Sequence, residues 1–185
     1  VPQQGLLALD RSVETVMPFS NGLDSRAVAG LIRAIGKDPV LVRLGSPFAD
    51  REGLRRERRA FTAVPFHVTG KKGAFVESTV RSRGFKFALV SGIAAYLAGA
   101  REVIVPESGQ GALGPSLVTV GQAYPDYRSH PLFTGRMERL LQALLGHRVR
   151  FAFPQTWQTK GETLRQFIDA CPDDAAAIHN RRLGN

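Results

Sequence analysis

The clearest chemical signal in the chain is a run of small and polar residues: Ser20, Asn21, Gly22, Leu23, Asp24 and Ser25. The run follows an apolar segment of strand length and leads directly into a segment with helical periodicity. A strand, a tight loop and a helix N-terminus form an anion site, because unpaired backbone N–H groups and the positive helix end converge there. Gly22 permits the turn, and two serine hydroxyls add donors. The pattern slightly favours phosphate binding over an ordinary turn in which Ser20 or Asp24 caps the helix.

Other charged residues could also contribute to a binding site. Lys160 precedes Gly161 at a helix start and could reach a phosphate as a point charge. Glu107 directly follows an apolar run, where a carboxylate could hold Mg²⁺ or a substrate amine. Arginine side chains could clamp a carboxylate or stabilise charge on a phosphate group, and the candidates are Arg81, Arg83 and Arg128. Taken singly, each of these residues also fits an ordinary surface position.

The elements that must position these residues alternate along the chain. Apolar runs of strand length cover residues 13–19, 39–44, 64–68, 102–106 and 149–153, and helix-period segments cover 25–35, 50–62, 83–98 and 134–145. This alternation predicts an α/β fold, with a mostly parallel sheet covered by helices on both faces. Ligands of such sheets bind where the strands end.

One long stretch, from Glu107 to Leu132, is rich in Gly and Pro and lacks clear periodicity. Loops of this length inside a compact domain are typically lids or binding loops. A lid has a physical purpose over a reactive site, because it keeps a water-sensitive intermediate from water until the reaction is complete. We therefore predict a mobile lid over residues 107–124.

The composition limits the classes of protein that fit. The chain has 185 residues, of which 43% are apolar, enough to bury the core of one domain. Its single cysteine, Cys171, allows neither an intramolecular disulfide framework nor a multi-thiolate metal cage and favours a reducing cytoplasm. No apolar run reaches the roughly 18 residues that a membrane span needs, so we expect no membrane partner. The net charge of +9, mostly from Arg, predicts an anionic partner such as a nucleoside triphosphate or a nucleic acid.

The loop from Ser20 to Ser25 resembles the SGGxDS loop of the PP-loop ATP pyrophosphatases, with Asn21 where the first Gly is usual. Three further stretches resemble the 7-cyano-7-deazaguanine synthase branch of queuosine biosynthesis. Residues 81–85 (RSRGF) stand where that branch has a Pro-x-Arg-Asn element, residues 124–128 (YPDYR) are similar to its YPDxR motif, and residues 159–162 (TKGE) are similar to its Thr-Lys-x-Glu helix start. Gly84 and Tyr127 depart from the branch, as does the composition of residues 107–123.

The resemblance implies a three-layer α/β/α fold of the adenine nucleotide alpha hydrolase type, with a mainly parallel five-stranded sheet in the order 3-2-1-4-5. It implies a single PP-loop ATPase domain over residues 1–185, with ATP and Mg²⁺ bound. The activity that it implies is cleavage of ATP to AMP and pyrophosphate, with adenylation of a small-molecule carboxylate that ammonia or another amine then attacks. The implied catalytic residues are Asp24, Ser25, Lys160 and Arg128. ATP would contact the loop from Ser20 to Ser25 together with Lys160, and the acceptor would contact Arg81, Arg83, Glu107, Tyr124 and Asp126.

Several alternatives stay open. The acceptor could instead be a tRNA base, a peptide or another metabolite, and a non-catalytic nucleotide- or RNA-binding module is a third interpretation. Nucleic acid and a second copy of the chain are both left open as partners. The synthases end in a zinc-binding Cys cluster, whereas the residues after Cys171 contain no Cys. The protein is either a diverged relative or one whose zinc-binding segment follows Asn185, and we favour the second interpretation. We expect structural zinc only if a Cys cluster lies outside these residues.

Overall fold

Short strands and longer helices alternate in the computed structural model, which describes residues 13–20, 22–44, 62–64, 83–113, 116–117, 121–122 and 129–176. The strands are β1 (Thr15–Pro18), β2 (Val40–Leu44), β3 (Thr62–Val64), β4 (Glu102–Ile104), β5 (Ser116–Leu117), β6 (Gly121–Gln122) and β7 (Arg150–Ala152). The helices are α1 (Leu23–Ala34), α2 (Arg83–Ala98), α3 (Gly109–Leu113), α4 (Pro131–Leu145) and α5 (Lys160–Ala170).

The main sheet has the strand order β3-β2-β1-β4-β7, and every neighbouring pair in it is parallel. A second, two-stranded sheet pairs β5 with β6 antiparallel. The prediction of an α/β fold with a mostly parallel sheet is confirmed. Because parallel strands all end on the same side, the loops that follow β1, β4 and β7 meet at one edge of the sheet. We call this side the carboxyl edge.

Helices cover both faces of the main sheet. Val16 and Val103 belong to a core that includes buried residues of α2 and α4, whereas their neighbours Met17 and Ile104 pack with α1 on the other face. Neighbouring residues face opposite sides of the sheet because side chains alternate along a strand. Since both faces of β1 are covered, the strand is buried along Thr15, Val16 and Met17 without a polar alternation.

Each face carries a pair of helices that approach closely at a glycine. On one face α1 packs against α5, and a Cβ added at Gly30 would overlap the ring of Phe167. On the other face α2 packs against α4, and a Cβ added at Gly92 would overlap the side chain of Leu141. All four helices precede or follow parallel strands of one sheet, so the two members of each pair run in the same direction.

Two predictions about element bounds are wrong. The third strand was expected at 64–68, after a helix ending at residue 62, but Thr62 already belongs to β3 and pairs with Val42. Pairing with β2 determines that Thr62 is in a strand, because the local preference of a residue for a strand is weak and depends on its surroundings. Residues 50–61 and 65–68 lie outside the described part of the chain.

The stretch from 107 to 132 was expected to be an irregular loop, but it contains α3, the β5–β6 pair and the start of α4. α4 begins at Pro131, three residues before its expected start, because the His130 side chain accepts a hydrogen bond from Leu132 N and proline suits a first helical turn. Whether any of this stretch closes as a lid stays a prediction. Within the described ranges, the structure has no helix with the length and apolar character needed to cross a membrane.

Candidate functional site

The loop after β1 gathers two serine hydroxyls at the start of α1. Ser25 Oγ donates to the carbonyl oxygen of Gly22 at 2.9 Å and lies 3.3 Å from Ser20 Oγ. Gly22 N donates in turn to Ser20 Oγ at 3.3 Å. Ser25 is buried and Ser20 is exposed, so the pair runs from the interior to the surface. The loop is therefore held in shape by its own polar groups, with one hydroxyl facing solvent.

The N-terminus of α1 differs from the other helix starts that can be compared. Its N-cap is Gly22, with extended backbone angles, and within the described residues no side chain caps it. By contrast, His130 caps α4 and Thr159 caps α5. The first N–H groups of a helix have no partner inside the helix, so the missing side-chain cap leaves those of α1 available to an anion.

An ion pair joins the starts of α1 and α5. Lys160 Nζ lies 2.8 Å from Asp24 Oδ2, with the two side chains 55% and 36% exposed. Asp24 is in the first turn of α1, and Lys160 is the first residue of α5. The contact between Gly30 and Phe167, further along both helices, confirms that the pair runs parallel with the two N-termini side by side. Two positive helix ends and one ammonium group therefore lie close together at the carboxyl edge.

Carboxylates in the first turns offset part of this positive charge. Glu162 accepts hydrogen bonds from Thr159 N at 2.7 Å and Thr159 Oγ1 at 2.9 Å, while Thr159 Oγ1 accepts from Glu162 N. This reciprocal capping box lowers the pKa of Glu162, first through the backbone hydrogen bond from Thr159 and then through its hydroxyl. The Glu162 carboxylate thus caps the start of α5. The Asp24 carboxylate instead pairs with Lys160, which a bound anion could attract away from it.

Glu107 follows β4 at the same carboxyl edge. Its carboxylate lies against α3, where a Cβ added at Gly111 would overlap Oε2. Gly109 N donates to the carbonyl oxygens of Gln155 and Gln158, both at 3.0 Å, which ties the loop after β4 to the loop before Lys160. Glu107 therefore shares an edge with Lys160 and Ser20, with its carboxylate directed over α3.

The structure brings together most of the predicted phosphate-binding residues: Ser20, Gly22, Leu23, Asp24, Ser25 and Lys160. Arg83 is the first residue of α2, which begins at the carboxyl edge because it leads into parallel β4, and its side chain is outside the description. Several predicted residues lie outside the described part of the chain: Asn21, Arg81, Tyr124, Asp126 and Arg128. In the described ranges, His, Cys, Asp and Glu form no group of three or more that could hold a metal ion.

One role and one exposed side chain in the site were not predicted from the sequence. Thr159 and Glu162 belong to the TKGE stretch given above, and their Thr-x-x-Glu spacing is also the sequence signal of the cap that they form at the start of α5. Trp157, in the turn before Lys160, is 91% exposed. Its turn is fixed by hydrogen bonds from Thr156 to Phe153 O and from Gln158 N to Gln155 O. No sequence pattern indicates that an indole will face solvent from a well-anchored turn.

No model of a known protein family matches this chain, and no curated protein sequence matches it. The resemblance to PP-loop enzymes therefore rests on the short sequence motifs given above.

Proposed function

We propose that this protein is an ATP-dependent adenylating enzyme that cleaves ATP to AMP and pyrophosphate and activates a carboxylate for attack by ammonia or another amine. The single observation that carries the proposal is the uncapped start of α1, where amide groups, two serine hydroxyls and Lys160 converge. Amides, hydroxyls and one lysine ammonium group match the donor set that a polyphosphate requires.

The strand order supports a nucleotide site at this place. In the order β3-β2-β1-β4-β7, the chain leaves β1 toward β2 on one side and later returns to β4 on the other. The loops after β1 and β4 diverge there, and ligands of open α/β sheets bind in the crevice at such a switch point. This topology supports the five-stranded, adenine nucleotide alpha hydrolase-like arrangement that the sequence resemblance implies.

The chain's own groups would act on the phosphates by position and charge. The α1 amides and the Ser20 hydroxyl would hold the β- and γ-phosphates, and Ser25 would keep the loop in shape through Gly22. Lys160 would turn from Asp24 toward the bridging oxygen that gains charge as pyrophosphate departs. Arg128 would assist from outside the described residues. None of these roles requires a covalent bond to the protein.

Mg²⁺ fits this arrangement with Asp24 as its protein ligand. Mg²⁺ in phosphate-transfer sites is typically held by one or two carboxylates together with the phosphates of the substrate, so a single carboxylate beside the phosphate loop is sufficient. Asp24 is partly exposed, and its carboxylate forms an ion pair with Lys160 that a phosphate would loosen. The metal would offset charge on the triphosphate.

A planar acceptor suits the surroundings of the site. The exposed indole of Trp157 offers a stacking surface three residues before Lys160. Arg83 stands at the carboxyl edge, where its charge suits a carboxylate on such a ring. Arg81, Glu107, Tyr124 and Asp126 complete the proposed acceptor site by resemblance. A deazapurine carboxylate has the required shape and charge, and the single Cys171 supports a reducing, cytoplasmic setting.

Trp157 also favours a second candidate acceptor, a base within tRNA, because stacking on an aromatic side chain is a common way to hold an unpaired base. The net charge of +9 would help to bind the phosphate backbone. A binding module without turnover would share both features. The formation of AMP separates the module from the two enzyme interpretations.

Product analysis tests the proposal. ATP labelled at the α phosphate is incubated with Mg²⁺, ammonia and deazapurine carboxylate or unmodified tRNA, and the nucleotides are separated. We expect AMP and pyrophosphate with one acceptor class, with AMP formation lost in Lys160→Met and Asp24→Asn. Lys37→Met and Asp38→Asn are matched controls because both residues follow the far end of α1. Formation of ADP, or AMP formation that Lys160→Met and Asp24→Asn leave unchanged, would contradict the mechanism.

A further inference from the structure

The outer surface of the α2–α4 helix pair is apolar. Five large side chains form what we call the α2–α4 patch, and each is between 37% and 63% exposed: Ile93, Tyr96, Leu97, Leu140 and Leu144. On α2 their spacing of three and four residues defines one solvent-facing stripe, and on α4 the two leucines are four residues apart. A surface helix of a monomeric protein typically has polar residues at such solvent-facing positions.

The two halves of the patch adjoin each other. Gly92 and Leu141 are in direct packing contact, and Ile93 and Leu140 are their immediate neighbours in sequence. Glu138 accepts a hydrogen bond from Phe151 N at 2.7 Å, which turns that side of α4 toward β7 and leaves Leu140 and Leu144 on the side toward α2. Tyr96 is fixed by an edge-on contact with His147, at 5.7 Å between ring centroids. The two halves of the patch therefore lie on helices that are packed directly against each other.

We propose that the α2–α4 patch binds the same patch of a second copy of this chain, so that the two helix pairs form a four-helix interface around a two-fold axis. The five side chains expose on the order of 500 Å², near the upper end of what a single-chain protein usually exposes in one patch. Two copies would bury about 1,000 Å² from the patch alone, which is the size at which specific interfaces begin. A two-fold axis brings the same patch of both copies into contact, so each apolar side chain would meet apolar side chains of the second copy.

The charges around the patch give the proposal a distinguishing property. The described charged side chains of the two helices are Lys86, Arg136, Glu138 and Arg139, and Glu138 is bonded to Phe151 N. Two copies that bring these mostly basic helices together repel each other, whereas an acidic partner would be attracted to them. A dimer held by the patch must therefore become tighter as salt is added. The anion site lies at the start of the α1–α5 pair on the other face, so the interface leaves it accessible.

Sedimentation velocity over a concentration series tests the interface with the full chain. We expect the wild-type protein to shift from 20.2 kDa toward twice that mass as concentration rises, with a dissociation constant that falls between about 50 and 500 mM NaCl. Leu144→Arg and Ile93→Arg should each raise the dissociation constant by more than about 30-fold, because a charge is buried at the centre of the interface.

Ile168→Arg is the matched control, since the exposure of Ile168 lies between those of Ile93 and Leu144 but the residue is on α5, on the opposite face. It should leave the dimer unchanged, and circular dichroism should show the same fold in all the variants because the three substituted side chains face solvent. A protein that stays at 20.2 kDa at every concentration would overturn the proposal and leave the patch to another occupant. Dimers that weaken with salt, or that survive both patch substitutions, would overturn it as well.

Discussion

The two helix pairs that cover the sheet are built alike but present different surfaces. In each pair a glycine lets the helices approach, Gly30 against Phe167 and Gly92 against Leu141. The α1–α5 pair concentrates its chemistry at its start, where Asp24 meets Lys160, whereas the α2–α4 pair carries a broad apolar surface. The comparison teaches that the packing of a helix pair is independent of its role, which is determined by residues that the packing leaves exposed.

The largest expected effect is on the rate of AMP formation, which should depend on the α1–α5 pair. Removing the Lys160 charge in Lys160→Met should lower the rate of AMP formation by about 10²- to 10³-fold, because a donor to the departing pyrophosphate is lost. Lys37→Met, at the other end of α1, should leave the rate unchanged. Single-turnover kinetics with saturating ATP measures both rates. Equal losses in the two variants would mean that general charge, not the α1–α5 edge, supports the reaction.

The next effect should be the same for both pairs. Gly30→Val and Gly92→Val each force a side chain into space that Phe167 or Leu141 fills, so each should lower the free energy of unfolding by about 1–3 kcal/mol. Gly135→Ala is the control, since a Cβ at Gly135 meets no atom within 4 Å and alanine should stabilise α4 by about 1 kcal/mol. Urea unfolding measures all three. A tolerated valine at only one glycine would show that the two contacts are not equivalent.

Two buried serines should respond with opposite signs. Ser25 Oγ donates to Gly22 O, so Ser25→Ala should cost about 1 kcal/mol of stability. Ser91 Oγ, in α2, is buried with no hydrogen-bond partner in the described structure, so Ser91→Ala should stabilise the protein by about 1 kcal/mol. Thermal unfolding of the two variants measures the difference. A loss of stability in Ser91→Ala would show that this hydroxyl has a partner in solution.

The smallest effect concerns the acid stability of α5. Because the folded-state pKa of Glu162 is lowered by Thr159, its contribution is present above the pKa of the unfolded chain and is lost as pH falls through the folded pKa. Glu162→Gln keeps the shape of the cap but removes the titrating group, so the variant should lose less stability than the wild type below about pH 4.5. Urea unfolding at a series of pH values compares the two proteins. Parallel pH profiles would exclude this contribution.

Much of the fold could be predicted because its elements carry strong local patterns. The bounds predicted for α2, Arg83 to Ala98, agree with the structure, since 16 mostly small and apolar residues are too many for a typical strand and suit a buried helix. The start of α4 was misplaced because the cap formed by His130 and Pro131 lies outside the apolar repeat. The position of β3 depends on pairing with β2, which no local pattern encodes.

The candidate site could be predicted in its parts but not in its contacts. The sequence indicates an anion site at Ser20 to Ser25 and a charged helix start at Lys160. That Lys160 bonds to Asp24 follows from β1 and β7 lying on either side of β4 with α1 and α5 on one face, which is a property of the whole topology. The direction of the Glu107 carboxylate over α3 likewise depends on a short helix that has no periodic signal.

The central claim is that the uncapped start of α1 binds the phosphates of ATP, and backbone amide NMR tests it most directly. Titration of the ¹⁵N-labelled protein with MgATP should shift the amide signals of Gly22, Leu23, Asp24 and Ser25 most strongly, because their N–H groups would change partners. Leu132 and Phe133, at the capped start of α4, should stay unchanged and serve as the internal reference. Saturable shifts that leave residues 22–25 unaffected, or equal shifts at both helix starts, would contradict the account.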